Sequence, residues 1–130
     1  MIDLNYLAIV AATGAVFVVS SVYYIVFGRV LAPLSPAWAD VSRPPAWKIA
    51  QEPVRTLVTA LVLAGLAELL GIVDWAGGLA LAVALWIAFP AMLLAGSVIH
   101  ENVPWKLAAV HAGDWLLKLL IIAIVVSLWR

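Results

Sequence analysis

Four runs of apolar residues, at about 4–27, 54–73, 79–99 and 105–129, each come close to the length a helix needs to cross a lipid bilayer. The hydrocarbon core is about 30 Å thick and a helix rises about 1.5 Å per residue, so roughly 20 apolar residues suffice. Apolar side chains make up 67% of the 130 residues, more than a small water-soluble domain could hide. Lipid is the solvent that suits such a chain. In lipid every backbone N–H and C=O must find its partner within the protein, which leaves runs of this length only the helix. The sequence therefore predicts one all-α domain, an integral membrane four-helix bundle, in contact with membrane lipid.

The same composition excludes several kinds of function. Seven Lys and Arg balance seven Asp and Glu and form no basic stripe, so no nucleic-acid partner is expected. The absence of cysteine removes disulfides, thiolate metal sites, cysteine-held iron–sulfur clusters and thiol redox chemistry. The first apolar run carries Asp3 in place of a basic leader and is too long for a secretion signal, so it reads as a retained span.

Between the first two spans, a linker over 29–53 holds five of the seven prolines, Pro33, Pro36, Pro44, Pro45 and Pro53. That density predicts no long helix. Trp38 and Trp47, beside Arg43 and Lys48, predict an ordered segment on the membrane surface. A tight turn is expected at 74–78 and a second loop at 100–104. Pro90 should kink the third span, and Pro104 suits the start of the fourth.

Arg29, Arg43, Lys48, Arg55 and Lys106 flank the loops of one side, against Arg130 on the other. The positive-inside bias then places both termini outside, with Trp75 and Trp129 at the outer boundary and Trp38, Trp47 and Trp105 at the cytoplasmic one. Ala46-Trp47-Lys48-Ile49-Ala50 resembles Pro104-Trp105-Lys106-Leu107-Ala108. Duplication of a hairpin would explain that pairing, and so would anchoring alone.

Charges within the spans carry the functional interest, because an ionised group at mid-bilayer costs about 2.5–3.5 kcal/mol on insertion scales. His111, Asp114 and Lys118 recur at spacings of three and four, on one helical face. Counting from Arg55 and Trp105 at about 1.5 Å per residue, Glu68 and Lys118 lie roughly 20 Å deep and Asp114 about 14 Å. The expectation is a polar cluster in which Asp114 and Glu68 hold Lys118, with His111 nearer the cytoplasm. Such a cluster could relay protons or hold a polar ligand, or could only neutralise itself and pin helix two to helix four. Alternatively, residues 105–114 could lie flat on the membrane, leaving Lys118 to snorkel.

His111 and Asp114, with His100 and Glu101 from the loop, are a conceivable metal set, but nothing else converges on them, and no metal, haem or other cofactor is expected. Ser20, Ser21 and Ser97 lack the spacing of a nucleophile with its base. Thr13, Ser20 and Tyr24 share one face of the first span, while Trp86 and Trp115 read as interior packing.

The stretch from Glu101-Asn102-Val103-Pro104-Trp105-Lys106-Leu107 through His111-Ala112-Gly113-Asp114-Trp115-Leu116-Leu117 to Ser127-Leu128-Trp129-Arg130 resembles the closing segment of the bacterial domain-of-unknown-function family seventeen sixty-one. Asn5-Tyr6-Leu7-Ala8 and the Tyr23-Tyr24 to Phe27-Gly28-Arg29 end of the first span resemble its beginning. The resemblance implies a small four-span protein of a bacterial inner membrane and carries over no functional residue. The chain departs from that family at Val22-Tyr23-Tyr24-Ile25, where a Trp-Tyr-Ser-Pro-like element is usual, and at Asp114, where an uncharged or aromatic residue is more common.

These features predict a non-enzymatic membrane protein that self-associates, with Gly14, Gly65 and Gly96 allowing close approach, and with the polar cluster serving transport or ligand binding. A membrane-embedded enzyme acting on a lipid or quinone through His111 and Asp114 is the alternative. A third reading is an accessory subunit of a larger complex.

Overall fold

The computed structural model describes residues 4–34 and 46–129. Trp38 and Arg43 lie outside the described residues. Helix α1 covers Tyr6–Leu31, α2 Ala46–Leu69, α3 Trp75–Glu101 and α4 Trp105–Leu128. Each has 24 to 27 residues and is apolar enough to cross a membrane; at about 1.5 Å per residue each is about 36 Å or longer. Among the described residues there is no strand. The protein is an all-α membrane four-helix bundle.

Local chemistry sets the ends of the helices. Asn5 caps α1, its side chain accepting from Ala8 N at 3.1 Å, and Arg29 stands in the last turn, where a cation complements the helix dipole. Asp74 accepts from Gly77 N at 3.0 Å and so starts α3 at Trp75, earlier than the expected start at 79. Helix α2 ends on Gly71, whose φ of 69° lets Ile72 N reach Ala67 O at 2.9 Å. The same left-handed turn closes α3 at Asn102, with φ 56°. Pro90 sits in a π-turn over Ile87–Ala91 that joins the two α-helical parts of α3, a usual way for a helix to absorb a proline.

Helix α2 corrects the sequence reading. It begins at Ala46 and runs through Pro53, where the sequence predicted a surface linker ending at that proline. Proline removes one backbone donor, but a membrane helix tolerates the loss because neighbouring groups can satisfy the freed carbonyls. Gln51 Nε2 donates to Lys48 O at 2.9 Å in the turn before Pro53. Helix α4 is likewise continuous from Trp105, and Ala108 and Val110 in its first turns are buried. Residues 105–114 thus belong to the same unbroken helix as 115–128 and carry part of its packing.

Helix α4 is central, packing against α1 and α3, while α2 lies against α1 and touches α3 sparsely. The bundle is divided along its length. Toward the end that holds Asn5 and Trp129, the core is apolar and rich in alanine, with Ile9, Ala12, Leu63, Ala64, Ile122 and Ala123 buried. Small side chains let the helix backbones approach, which is how helices associate when lipid is as apolar as their own side chains. Asn5 Nδ2 donates to Trp129 O at 3.0 Å and ties this end of α1 to the end of α4. Ile25 and Leu93 face outward, each more than three-quarters exposed within the chain, as lipid-facing residues do.

Close helix contacts within the chain fall at Gly78 and Gly113. A Cβ at Gly78 would meet Ser127 Oγ, and one at Gly113 the Tyr23 hydroxyl. At Gly14, Gly65 and Gly96 an added Cβ meets nothing within 4 Å. Trp47 and Trp105 are exposed at one end of the bundle, and Trp75 and Trp129 at the other. Lys48 and Lys106 each lie over the preceding Trp ring, at 5.7 and 5.8 Å from its centroid.

Candidate functional site

The half of the bundle toward Trp47 and Trp105 has a polar interior. Helix α4 places Asp114 and Lys118 one turn apart on its inner face, and Nζ of Lys118 lies 2.9 Å from Oδ2 of Asp114. Asp114 is only 2% exposed. Burying a carboxylate and an ammonium costs several kcal/mol per ion, so the pair holds only if further groups satisfy both. Helix α1 supplies them. Ser20 Oγ donates to Asp114 Oδ1 at 2.6 Å, and Tyr24 OH to Oδ2 at 3.3 Å. Among the described residues no buried side-chain nitrogen or oxygen lacks a hydrogen-bond partner.

His111, one turn before Asp114, joins through Tyr24: its Nδ1 is 2.7 Å from the phenol oxygen. One phenolic proton cannot serve both neighbours. When His111 carries its proton on Nδ1, the imidazole donates to Tyr24 and Tyr24 donates on to Asp114, and the chain of bonds is complete. The neighbouring Tyr23 is spent on packing, donating to Val110 O at 2.6 Å. Trp86 Nε1 likewise donates to Ala112 O at 2.8 Å and joins α3 to α4.

The carboxylate facing Lys118 from α2 is Glu52, with Oε2 at 3.9 Å. Glu52 Oε1 also accepts from Arg55 Nη1 at 3.0 Å and Gln51 Nε2 at 2.8 Å. Glu68, which the sequence placed opposite Lys118, lies 16 residues farther along α2, about 24 Å toward the other end. The expected depth was counted from Arg55, whereas α2 starts at Ala46. The cluster thus gathers His111, Asp114 and Lys118 and leaves Glu68 out. Sequence reasoning missed Glu52 because Pro53 made it a linker residue. The i,i+3 spacing of Glu52 and Arg55 was the signal available.

A cavity of about 430 Å³ opens beside this network, among α1, α2 and α4, within the size range of small-molecule sites. Ser20, Tyr24, Glu52, Arg55, His111 and Lys118 line it, and the exposed Lys48 and Ile49 stand at its mouth. Lys48, Arg55 and Lys118 set three cations against the carboxylates of Glu52 and Asp114. Val16 and Thr56 also line the cavity, and the apolar core follows them along α1 and α2. The arrangement is a polar recess that ends on an apolar plug. Among the described residues no three His, Cys, Asp or Glu side chains are grouped to hold a metal ion.

No curated protein and no solved structure matches the chain. The model of one family, described as a protein of unknown function, DUF1761, matches residues 7–127. That match takes in all four helices except their outermost residues, including the whole polar network on α1, α2 and α4, and the chain belongs to the DUF1761 family.

Proposed function

We propose that this membrane protein binds a small anionic or zwitterionic group in the recess between α1, α2 and α4. The observation that carries the reading is the lining: three cationic side chains and two carboxylates converge on one opening within a bundle that is otherwise apolar. Lys118 is held by Asp114 at 2.9 Å and Glu52 at 3.9 Å, whereas the exposed Lys48, and Arg55 with its exposed pairing to Glu52 at 3.0 Å, stand nearer solvent where they can turn to a ligand's charge. Preorganised cations in a poorly hydrated recess bind an anion more strongly than the same cations in water. Because the recess ends on the apolar core, the reading is of binding rather than continuous conduction. By the positive-inside bias, Arg29, Lys48, Arg55 and Lys106 put its mouth at the cytoplasmic face of an inner membrane.

Glycerol phosphate, titrated by calorimetry into the detergent-solubilised protein, tests the proposal. The double change Lys48→Gln with Arg55→Gln should weaken binding about tenfold or more, while Glu68→Gln, far along α2, should leave it unchanged. Equal affinity in wild type and the double variant would overturn the reading.

A second reading rests on the bond between His111 and Tyr24 at 2.7 Å, beside the cavity and linked to Asp114. A histidine so placed can move a proton to or from a bound group, as an enzyme acting on a lipid or quinone would require. It predicts turnover that is lost in His111→Gln with binding retained. Self-association is proposed on the open faces at Gly14, Gly65 and Gly96; crosslinking in the native membrane that yields only single chains would discard it.

A further inference from the structure

A second and larger cavity, about 920 Å³, lies between α2 and α3. It is almost wholly apolar, with Val62, Leu66, Ala88, Phe89 and Leu93 among its walls. Its origin is visible in the chain. Helices α2 and α3 touch sparsely, and the π-turn at Ile87–Ala91, with Pro90 in it, forms part of the wall.

Between the two cavities lies a small pocket of about 10 Å³, lined by Glu52, Arg55 and Lys118, which also line the polar recess, and by Thr59, which also lines the apolar groove. Trp115 borders the polar recess, the small pocket and the groove alike. Lys118 Nζ lies 5.0 Å from the centroid of its ring, so a cation and an aromatic face meet where polar lining gives way to apolar lining. Such a junction matches a molecule with a charged head joined to a hydrocarbon tail.

We infer that the occupant is a single amphiphile of the membrane, its anionic head in the polar recess and an acyl or similar hydrocarbon chain in the groove between α2 and α3, threaded past Trp115. Two observations support this choice of occupant: the net positive lining of the recess, and a lipid-facing apolar groove that adjoins it on the other side of Trp115. The inference rests on the binding function proposed for the recess and names the class of its ligand.

The test compares acyl-glycerol phosphate, which has head and chain, with glycerol phosphate, which has the head alone, on the full protein in a neutral detergent. The chain should raise affinity at least tenfold in the wild type. Ala88→Trp and, independently, Leu93→Trp fill the groove from its lipid-exposed side. Each should remove most of that gain and leave glycerol phosphate binding as it was. The use of two groove variants guards against one that fails to fold, and thermal unfolding identifies such a variant. Should the chain add nothing, or should both folded variants keep the full gain, the groove inference is overturned while the recess still stands. Should Lys48→Gln with Arg55→Gln leave both ligands bound as in wild type, the recess reading fails, and the inference with it.

Discussion

Ser20 and Asp114 stand 94 positions apart in the chain and 2.6 Å apart in the bundle, the serine hydroxyl donating to a buried carboxylate oxygen. A hydrogen bond to a charged group contributes about 1.5–3 kcal/mol. Ser20→Ala should lower stability by about that amount, read by denaturant unfolding in mixed micelles, because Tyr24 and Lys118 lie at Oδ2 and Oδ1 loses its 2.6 Å donor. An unchanged unfolding midpoint would mean that α1 and α4 do not meet in this register.

Asp114 and Lys118 should behave as a coupled pair. Removing one partner of a buried ion pair strands the other, at about 3–5 kcal/mol. Asp114→Asn and Lys118→Met should each be destabilising on that scale, and the double variant should cost clearly less than the two together. Additive losses in a double-mutant cycle would show that the 2.9 Å contact contributes nothing to the fold.

Gly113 is a contact point between α1 and α4, since a Cβ there would run into the Tyr23 hydroxyl. Gly113→Ala should displace that ring, break its bond to Val110 O and cost about 1–3 kcal/mol, as overpacking does. Adding Tyr23→Phe, which removes the obstructing oxygen, should recover part of the loss. Gly14→Ala, with open space around it, is the control and should be neutral or slightly stabilising. Equal effects at the two glycines would contradict the packing.

The number of helices was legible because length and hydropathy alone decide which segments lipid will accept. Asp114 and Lys118 were legible as neighbours because both lie on one helix, where spacing is geometry. Contacts between helices were less so. Helix α1 is apolar all round, so periodicity does not say which face turns inward; Ser20 and Tyr24 marked a polar face, but nothing in the sequence paired it with Asp114. The exchange of Glu68 for Glu52 has a single cause. Pro53 reads as a helix breaker by the rules of water, and within a membrane bundle it is carried inside α2. Depth along α2 counted from Arg55 in place of Ala46 then fell short, and Glu68 lies nearer the far end than the count put it.

Membrane orientation can be tested cleanly because the chain has no cysteine of its own. Val73, exposed in the turn between α2 and α3, lies at the end shared with Asn5 and Trp129, and Glu101, exposed at the close of α3, lies at the end shared with Trp47 and Trp105. Lys48 and Lys106 both stand at the latter end, and the positive-inside bias assigns it to the cytoplasm. In intact cells, Val73→Cys should therefore react with a membrane-impermeant maleimide and Glu101→Cys should react only after permeabilisation. The reverse pattern would turn the bundle over and place the mouth of the recess on the outer face, where the proposed amphiphile would have to come from the opposite leaflet.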